Sequence, residues 1–596
     1  MLPSLSLRPS TSITRGLLAL FGAAAGLACS PPPSTASTGT GRDGGRPDGL
    51  RPDGALSDGG LPDGSPPDVP RVAGLAAPRL IAPLSTATVT SRRPTLRWML
   101  ADGIDSAHVQ ICADRACTKE VTSFDANDSG RPDAALPKGV LFWRAFGRSG
   151  GAIGQTASPT WELTVGARSA PVDTSWGTTP DVNGDGYADV LVTAPYAAGN
   201  VFVYLGGPSG LASSPQTVLS NGPGVVASAG DVNGDGYADV IASAEGNAAY
   251  VYLGGESGLS SSPAVTLPAP QRGGAFGVRV QSAGDVNGDG YSDVIVGDNA
   301  WCGAYVYYGS AAGLSSSPSV VLSGALGSGL GHSVDGAGDV NGDGFADVIV
   351  SVPDVNSDIG QIYLYLGSAT GLATSPTLTI DCPAESYGGC RMAGAGDVNG
   401  DGYADMVVGL NNINGSVGQA YIYLGGAAGL ALSPAVTLVG PETNVGDAFG
   451  RWVAPAGDLN GDGYADVVVG ADAEDDRSVG PDGGLTQPAG WVHVYLGSAT
   501  GPASSPTVTL TGPDGAGSWF GRCVNDAGDV NGDGYGDLMV GAEAYDTGGP
   551  GWAHLYLGTS TGVASSPAAT LTGPSAGSHF GVSVASVSGT ELGRRR

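Results

Sequence analysis

The chain has 596 residues, a formal net charge of −30 and a pI of about 4.2. This length exceeds what one hydrophobic core holds, so several domains or a repeat array are expected. The acidity argues against nucleic acid as a partner, because phosphates repel a negatively charged surface.

Residues 1–29 have the composition of an export signal. Arg15 precedes an apolar run, residues 16–28, that is too short to cross a bilayer as a permanent helix and that ends at Cys29. The segment resembles a bacterial lipoprotein signal peptide, whose cysteine becomes the lipidated N-terminus. The resemblance implies an extracytoplasmic protein, anchored by lipid at Cys29 to the bacterial outer membrane or cell surface. Ordinary secretion is the alternative.

Residues 30–78 are rich in Pro, Gly, Asp and Ser, with an aspartate every five residues from Asp43 to Asp68. Such a segment has little to bury and is expected to be a disordered linker. Its aspartates could bind calcium only weakly, because isolated carboxylates on a flexible chain are not held around one point.

Residues 79–167 change character. Segments such as 94–98 and 160–165 alternate apolar and polar residues, which is typical of half-buried strands and predicts a small β-sandwich. The order, with Trp98 early and Trp143 late, resembles a fibronectin type III or immunoglobulin-like module. Both tryptophans are expected in its core, and sugar stacking is the alternative.

The chain has seven cysteines. Besides Cys29, Cys112 and Cys117 are close enough in sequence for a local disulfide, and so are Cys382 and Cys390. Cys302 and Cys523 have no evident partner. Metal binding by cysteine is not expected, because no Cys-x-x-Cys or His pairing accompanies them.

From residue 168 to residue 590 one motif dominates. Asp-x-Asn-Gly-Asp-Gly-aromatic-x-Asp occurs seven times, beginning at Asp181, Asp231, Asp285, Asp339, Asp397, Asp458 and Asp529. Oxygen-bearing side chains at positions 1, 3, 5 and 9 of a tight loop can converge on one point, where three carboxylates would repel each other without a cation. All-oxygen ligation without His or Cys selects calcium. We therefore predict up to seven Ca²⁺ ions.

Two other calcium loops share part of this pattern. An EF-hand needs a Glu at position 12 and flanking helices, whereas position 12 is apolar here, as in Val192 and Val296. A dockerin has two short repeats with helical flanks. Both alternatives are disfavoured, because a strand-like apolar run follows each loop.

The repeat length indicates a propeller. The first aspartates are between 50 residues (181 to 231) and 71 residues (458 to 529) apart, the size of a four-stranded blade. A Phe-Gly pair lies nine residues before the first aspartate of the motif at Phe276, Phe449 and Phe520, and a further pair at Phe580 follows the last motif. This pattern resembles the FG-GAP repeats of integrin α subunits and implies an all-β fold with a seven-bladed β-propeller after the β-sandwich.

The resemblance also implies the ligands. In that family the side chains at positions 1, 3, 5 and 9 and the backbone carbonyl at position 7 hold the ion. The implied metal ligands are Asp181, Asn183, Asp185, Tyr187, Asp189; Asp231, Asn233, Asp235, Tyr237, Asp239; Asp285, Asn287, Asp289, Tyr291, Asp293; Asp339, Asn341, Asp343, Phe345, Asp347; Asp397, Asn399, Asp401, Tyr403, Asp405; Asp458, Asn460, Asp462, Tyr464, Asp466; Asp529, Asn531, Asp533, Tyr535 and Asp537.

Ring closure is predicted from the two ends of the array. The first unit has too few residues before Asp181 for a preceding strand, and residues 580–586 form a strand-like segment with no motif after it. We expect this segment to complete the first blade and remove both sheet edges. The tail, residues 591–596, is expected to be disordered.

No catalytic constellation is recognised, and an enzyme is not expected. Gly558-Thr559-Ser560-Thr561-Gly562 matches the Gly-x-Ser-x-Gly pattern, but corresponding segments of other units are hairpin turns. His493 and His554 occupy matching strand positions and are expected to be packed.

The function expected is that of a surface-tethered adhesion or protein-interaction scaffold stabilised by calcium. By analogy with integrins, the partner would bind the face opposite the calcium loops. The longest loop there is 471–490, and Trp301, Trp519 and Tyr545 could anchor a ligand or cover blade edges. A carbohydrate-binding propeller is the alternative, disfavoured because these loops differ from unit to unit.

Overall fold

The computed structural model describes residues 71–176, 180–197, 199–220, 224–244, 247–270, 274–300, 302–356, 359–383, 390–410, 418–440, 448–472, 489–544 and 547–584. The predicted signal peptide with Cys29, the linker as far as residue 70 and the tail lie outside the described residues. Strands and turns make up the described part, which contains no α-helix and so no helix able to cross a membrane.

The strands of residues 71–176, called the N-terminal domain below, are β1 (Arg71–Val72), β2 (Arg79–Ala82), β3 (Ala87–Val89), β4 (Leu96–Met99), β5 (Ser106–Cys112), β6 (Glu120–Ala126), β7 (Ser129–Gly130), β8 (Gly139–Ser149), β9 (Ala152–Ala157), β10 (Trp161–Val165) and β11 (Ser175–Trp176). The larger sheet has the order β1-β9-β8-β10-β3-β11, with β5 on β8 and β6 on β5, and the smaller one has the order β2-β4-β7.

The two sheets share one apolar core. Trp98 of the smaller sheet and Trp143 and Trp161 of the larger sheet are buried in it, the last two edge to face at 6.0 Å. The two tryptophans singled out in the sequence are therefore core residues, and the sugar-stacking alternative is excluded. Residues 71–72, inside the span assigned to the linker, form β1 and pair with β9.

The strands of the repeat region fall into consecutive antiparallel sheets. They are β12 (Val190–Ala194), β13 (Asn200–Tyr204), β14 (Thr217–Leu219); β15 (Val226–Gly230), β16 (Asp239–Ala244), β17 (Ala248–Tyr252), β18 (Val265–Pro268); β19 (Phe276–Gly284), β20 (Asp293–Asp298), β21 (Gly303–Tyr307), β22 (Val320–Ser323); β23 (Val334–Gly338), β24 (Asp347–Val352), β25 (Gln361–Tyr365), β26 (Leu378–Asp381); β27 (Arg391–Gly396), β28 (Asp405–Leu410), β29 (Gln419–Tyr423), β30 (Val436–Leu438); β31 (Trp452–Pro455), β32 (Val467–Ala471), β33 (Trp491–Tyr495), β34 (Val508–Thr511); β35 (Phe520–Gly528), β36 (Asp537–Ala542), β37 (Trp552–Tyr556), β38 (Gly558–Thr559), β39 (Gly562–Val563) and β40 (Ala569–Thr572).

Six sheets have four strands in chain order, the last being β35-β36-β37-β40, and β12-β13-β14 has three. The second strand of each unit follows the calcium-type loop directly and is buried on both faces, which explains its continuous apolar run. The expected all-β fold of four-stranded repeat units is confirmed. Strands, not helices, flank the loops, which excludes the EF-hand and dockerin alternatives.

The sheets contact one another in a circular order. The first strands of successive four-stranded sheets pack side by side from β15 and β19 to β31 and β35. The amide of Ala188 in the first unit donates to the carbonyl of Asp529 in the last at 3.1 Å, as the amide of Ala238 does to the carbonyl of Asp181 in the unit before it. The last unit therefore meets the first as successive units meet each other.

The C-terminal segment reaches the first sheet, as predicted. Val584 forms an antiparallel bridge with Val192, and Thr193 donates from its amide to the carbonyl of Ser583 at 2.9 Å. Phe580 packs on Phe202 of the same sheet with the rings 5.6 Å apart. The pairing is confirmed as far as Val584, where the description ends.

Candidate metal centres

The seven loops share one hydrogen-bonding pattern around the aspartate at position 1. They are numbered loops 1–7 in chain order, and their residues are counted from position 1 to position 9. In every loop Oδ2 of this aspartate accepts the amide of the position-6 glycine at 2.7–2.8 Å. The glycine has a positive φ, +91° at Gly186, a conformation that glycine adopts without steric cost.

Positions 3 and 5 lie on the same turn. In loop 1 Asn183 donates from Nδ2 to Oδ2 of Asp185 at 2.9 Å, and its Oδ1 accepts the Asp185 amide at 3.1 Å. The Asp185 amide also donates to Oδ1 of Asp181 at 3.2 Å. The loop thus brings the side chains at positions 1, 3 and 5 together, as the spacing predicts.

The aspartate at position 9 has an additional role that the motif alone did not indicate. In every loop its Oδ2 accepts the amide of position 2, at 2.8 Å from Val182 to Asp189 in loop 1. Its Oδ1 accepts the amide of the glycine that follows the third strand of the unit, at 2.9 Å from Gly206. Through these hydrogen bonds the buried aspartate joins the start of the loop to the end of the third strand.

Burial makes these carboxylates costly to ionise. It raises the pKa of Asp181 to about 7 and those of Asp231, Asp339 and Asp458 to about 6. At position 9 it raises the pKa values of Asp293, Asp405 and Asp537 to about 8, with nearby carboxylates of the same loop adding to the effect. A divalent cation would offset this concentration of buried charge.

The donor set fits a hard cation in its chemistry. Each loop offers carboxylate and amide oxygens without sulfur or imidazole, the ligands that Ca²⁺ takes. In the described part of the chain no three His, Cys, Asp or Glu side chains are grouped closely enough to hold one ion. The loop carboxylates instead accept backbone N–H groups, and those at positions 1 and 5 remain on one turn with the asparagine.

The loops interlock through positions 4 and 7. The aromatic ring at position 7 of each loop packs against the position-4 glycine of the preceding loop, so that a Cβ built on that glycine would lie 2.5–3.0 Å from the ring. The glycine–aromatic pairs are Gly184–Tyr237, Gly234–Tyr291, Gly288–Phe345, Gly342–Tyr403, Gly400–Tyr464, Gly461–Tyr535 and Gly532–Tyr187. The last pair joins loop 7 to loop 1. The aromatic residue therefore has a packing role besides the carbonyl ligand that the resemblance implies.

The N-terminal domain covers the loops. Trp161 donates from Nε1 to the carbonyl of Gly184 in loop 1 at 3.1 Å. Thr174 donates to the carbonyl of Gly344 in loop 4 at 2.6 Å, and Arg79 donates to the carbonyl of Asp235 in loop 2. These three contacts engage backbone carbonyls at positions 4 to 6.

Four cations of this domain lie over position-7 rings. The distances from the charged group to the ring centroid are 5.1 Å for Arg79 on Tyr237, 4.9 Å for Arg115 on Tyr187, 3.6 Å for Lys138 on Tyr464 and 4.1 Å for Arg168 on Tyr403. No motif in the sequence predicts this surface. The only available signal was the presence of these cations in an acidic chain, and it did not specify their partners.

The structure describes only some of the other residues that the sequence singled out. Trp519 is 3% exposed and lies 4.6 Å from the guanidinium of Arg522, which favours packing over ligand anchoring. Trp301, Tyr545 and most of loop 471–490 lie outside the described residues. His493 and His554 are buried, as predicted.

The local predictions from cysteine and glycine spacing are also confirmed. Disulfides join Cys112 to Cys117 and Cys382 to Cys390, whereas Cys302 and Cys523 are free and buried. The segment from Gly558 to Gly562 is a hairpin turn between β38 and β39, not a strand-to-helix turn.

Known proteins share the repeat region. The chain matches the FG-GAP-like repeat over residues 181–242, 231–296, 285–350, 339–408, 397–469 and 458–540. These overlapping segments span loops 1–7 and the sheets between them.

Integrin α subunits are among its curated relatives. Identity is 37% over 166 residues with integrin alpha-IIb of Mus musculus, covering 26% of this chain and 15% of the relative. It is 34% over 229 residues with integrin alpha-V of Gallus gallus and 32% over 229 residues with integrin alpha-5 of Xenopus laevis, each covering 37% of this chain and 20% of the relative. The chain thus spans a fifth or less of the length of these relatives.

A solved structure of BBS1N in complex with ARL6DN aligns with 61% of this chain and 88% of its own, at 14% identity and a TM-score of 0.36.

Proposed function

We propose, from the premise that this chain belongs to the FG-GAP-like repeat family, that it is an integrin-like, calcium-stabilised, seven-bladed β-propeller that serves as an adhesion or protein-interaction scaffold. The integrin α relatives support a protein partner. We further propose that a lipid on Cys29 anchors the protein at the bacterial surface, as the export-type segment before it implies.

Calcium would be held by the side chains at positions 1, 3, 5 and 9 of each loop and by the carbonyl at position 7. Bound there, the cation supplies the positive charge that offsets three carboxylates per loop. The loops themselves orient the ligands, through the amide of position 6 on the first aspartate and the amide of position 2 on the last. The proposed metal role is structural.

The position of the N-terminal domain supports the proposed partner face. Because this domain covers the metal loops through Arg79, Trp161 and Thr174, the exposed face of the repeat region is the opposite one. Two large apolar side chains are exposed in loops of that face, Tyr196 at 63% and Leu326 at 84%. Aromatic residues such as Tyr196 are enriched at protein–protein interfaces.

A binding assay with the full chain tests this proposal. Immobilised protein would be offered to cell-surface protein extract and, separately, to a glycan array. The double variant Tyr196→Ala with Leu326→Ser should reduce protein capture by at least about tenfold if the two side chains lie in the interface. The matched control is Leu432→Ser. Leu432 is 69% exposed, but it lies in the turn between β29 and β30 and not in a loop of the proposed partner face.

Two outcomes would contradict the proposal. Equal loss of capture in the control would show that the loss does not depend on the opposite face. Binding to glycans that is independent of both variants would instead support a carbohydrate-binding propeller.

A further inference from the structure

The loop closed by the Cys112–Cys117 disulfide carries Arg115 into the junction between metal loops 1 and 7. Arg115 donates from Nη1 to the carbonyl of Gly186 in loop 1 at 2.7 Å, and its Nη2 lies 3.2 Å from Oδ2 of Asp529 in loop 7. One side chain of the N-terminal domain thus holds the first and the last repeat unit at once.

The surroundings of Arg115 are those of a fixed side chain. It is 14% exposed, its Nη1 also donates to the carbonyl of Thr160 at 3.1 Å, and its Nη2 lies 3.5 Å from Oε2 of Glu162. Its guanidinium lies 4.9 Å from the ring centroid of Tyr187, the residue that packs on Gly532. Charge-assisted hydrogen bonds of this kind are roughly twice as strong as neutral ones.

The junction that Arg115 spans differs from all others in connectivity. Successive units are joined by the chain itself, whereas in the described part of the chain units 1 and 7 are joined by non-covalent contacts, such as those of Thr193 with Ser583 and of Phe202 with Phe580. Local opening begins where the fewest constraints hold. The seam between units 1 and 7 is therefore where the ring should open first.

We propose that the disulfide-closed loop, residues 112–117, is a clasp that keeps the ring shut at this seam. The disulfide limits the conformations of the short loop, so Arg115 bridges the two units at a small cost in entropy. Closure of the repeat ring then depends on a contact from another domain. This inference concerns ring closure and does not rest on the proposed partner or on bound metal.

Lys138 provides a matched control. Its ammonium lies 3.6 Å from the ring centroid of Tyr464 in loop 6, and a Cβ built on Gly400 in loop 5 would lie 2.4 Å from its Nζ. It therefore spans loops 5 and 6 as Arg115 spans loops 7 and 1, but at a junction that the chain itself joins.

Hydrogen exchange on the full chain at one fixed calcium concentration tests the clasp. Arg115→Ala should accelerate exchange of amides in residues 190–194 and 580–584 by at least about tenfold, since it removes the charge-assisted contacts with Gly186 and Asp529 that hold units 1 and 7 together. Lys138→Ala should leave these amides unchanged. The double variant Cys112→Ser with Cys117→Ser should accelerate the same amides, and Cys382→Ser with Cys390→Ser should not.

Three results would overturn the proposal: no acceleration at the seam in Arg115→Ala, equal acceleration in all sheets, or the same seam effect in Lys138→Ala. If Arg115→Ala does not fold, the double cysteine variant tests the proposal by itself. It retains Arg115 and removes only the disulfide that restrains the loop.

Discussion

Tyr187 of loop 1 packs on Gly532 of loop 7, where a Cβ would lie 2.5 Å from Cε1 of the ring. The same contact recurs between every pair of neighbouring loops. The seven loops are therefore in contact around the ring, and a substitution at one position-4 glycine should displace the aromatic ring of the next unit.

Gly288→Ala tests this linkage. Gly288 has φ +73°, and an added Cβ would lie 2.6 Å from Cε1 of Phe345. We expect this variant to lower the free energy of unfolding by about 1–3 kcal/mol more than the control, since overpacking of a tight contact costs that much. The control is Gly313→Ala, with φ +78° and no atom within 4 Å of the added Cβ. Denaturant unfolding measures the difference, and equal losses would mean that strain at positive φ explains the whole effect.

Chelation should lower the melting temperature substantially. A site that binds only in the folded chain adds about 2.7 kcal/mol at ~100 times Kd. Calorimetric titration with Ca²⁺ should show one site fewer in Asp285→Ala, whereas Asp48→Ala, in the predicted linker, should match the parent. An identical melting curve with and without EDTA would contradict metal stabilisation.

Stability in EDTA should fall as the pH rises from about 6 to about 8. Burial raises the pKa of Asp181 to about 7 and that of Asp293 to about 8, above the ordinary value of 3.8. In this window the folded chain binds more protons than the unfolded chain, so raising the pH favours unfolding. Saturating Ca²⁺ should flatten this dependence, because the cation binds the ionised carboxylates. Thermal melts at constant ionic strength measure this pH dependence. Stability in EDTA that rises with pH would contradict the raised pKa values of the loop aspartates.

The double variant Lys138→Ala with Arg168→Ala should loosen the cover over loops 5 and 6. Each side chain places a cation over a position-7 ring, at 3.6 Å from Tyr464 and at 4.1 Å from Tyr403, a contact of about 0.5–1 kcal/mol at exposed sites. Exchange of the Gly402 and Gly463 amides should therefore accelerate. Arg148→Ala is the control, because Arg148 pairs with Asp125 inside the N-terminal domain. Unaltered exchange in the double variant would show that these cations do not hold the cover.

Much of the candidate site could be predicted because its determinants are local. The nine residues from Asp181 to Asp189 contain the turn glycines and the oxygen donors in one stretch, so their spacing alone predicts a calcium-type loop. The disulfide between Cys112 and Cys117 is predictable for the same reason. The hydrogen bond that Asp189 accepts from Gly206 could not be predicted, because the strands β12 and β13 separate the two residues in the chain.

The sequence by itself determined the repeat unit, the strands that flank each loop and the identity of the oxygen donors, since these depend on periodicity and on residues close together in the chain. Only the tertiary structure decided that the N-terminal domain covers the metal loops and that Arg115 reaches Asp529. Most of these contacts join residues far apart in the chain, 414 positions in the case of Arg115 and Asp529. They arise from the packing of one folded surface on another, and such packing leaves no local pattern in the chain.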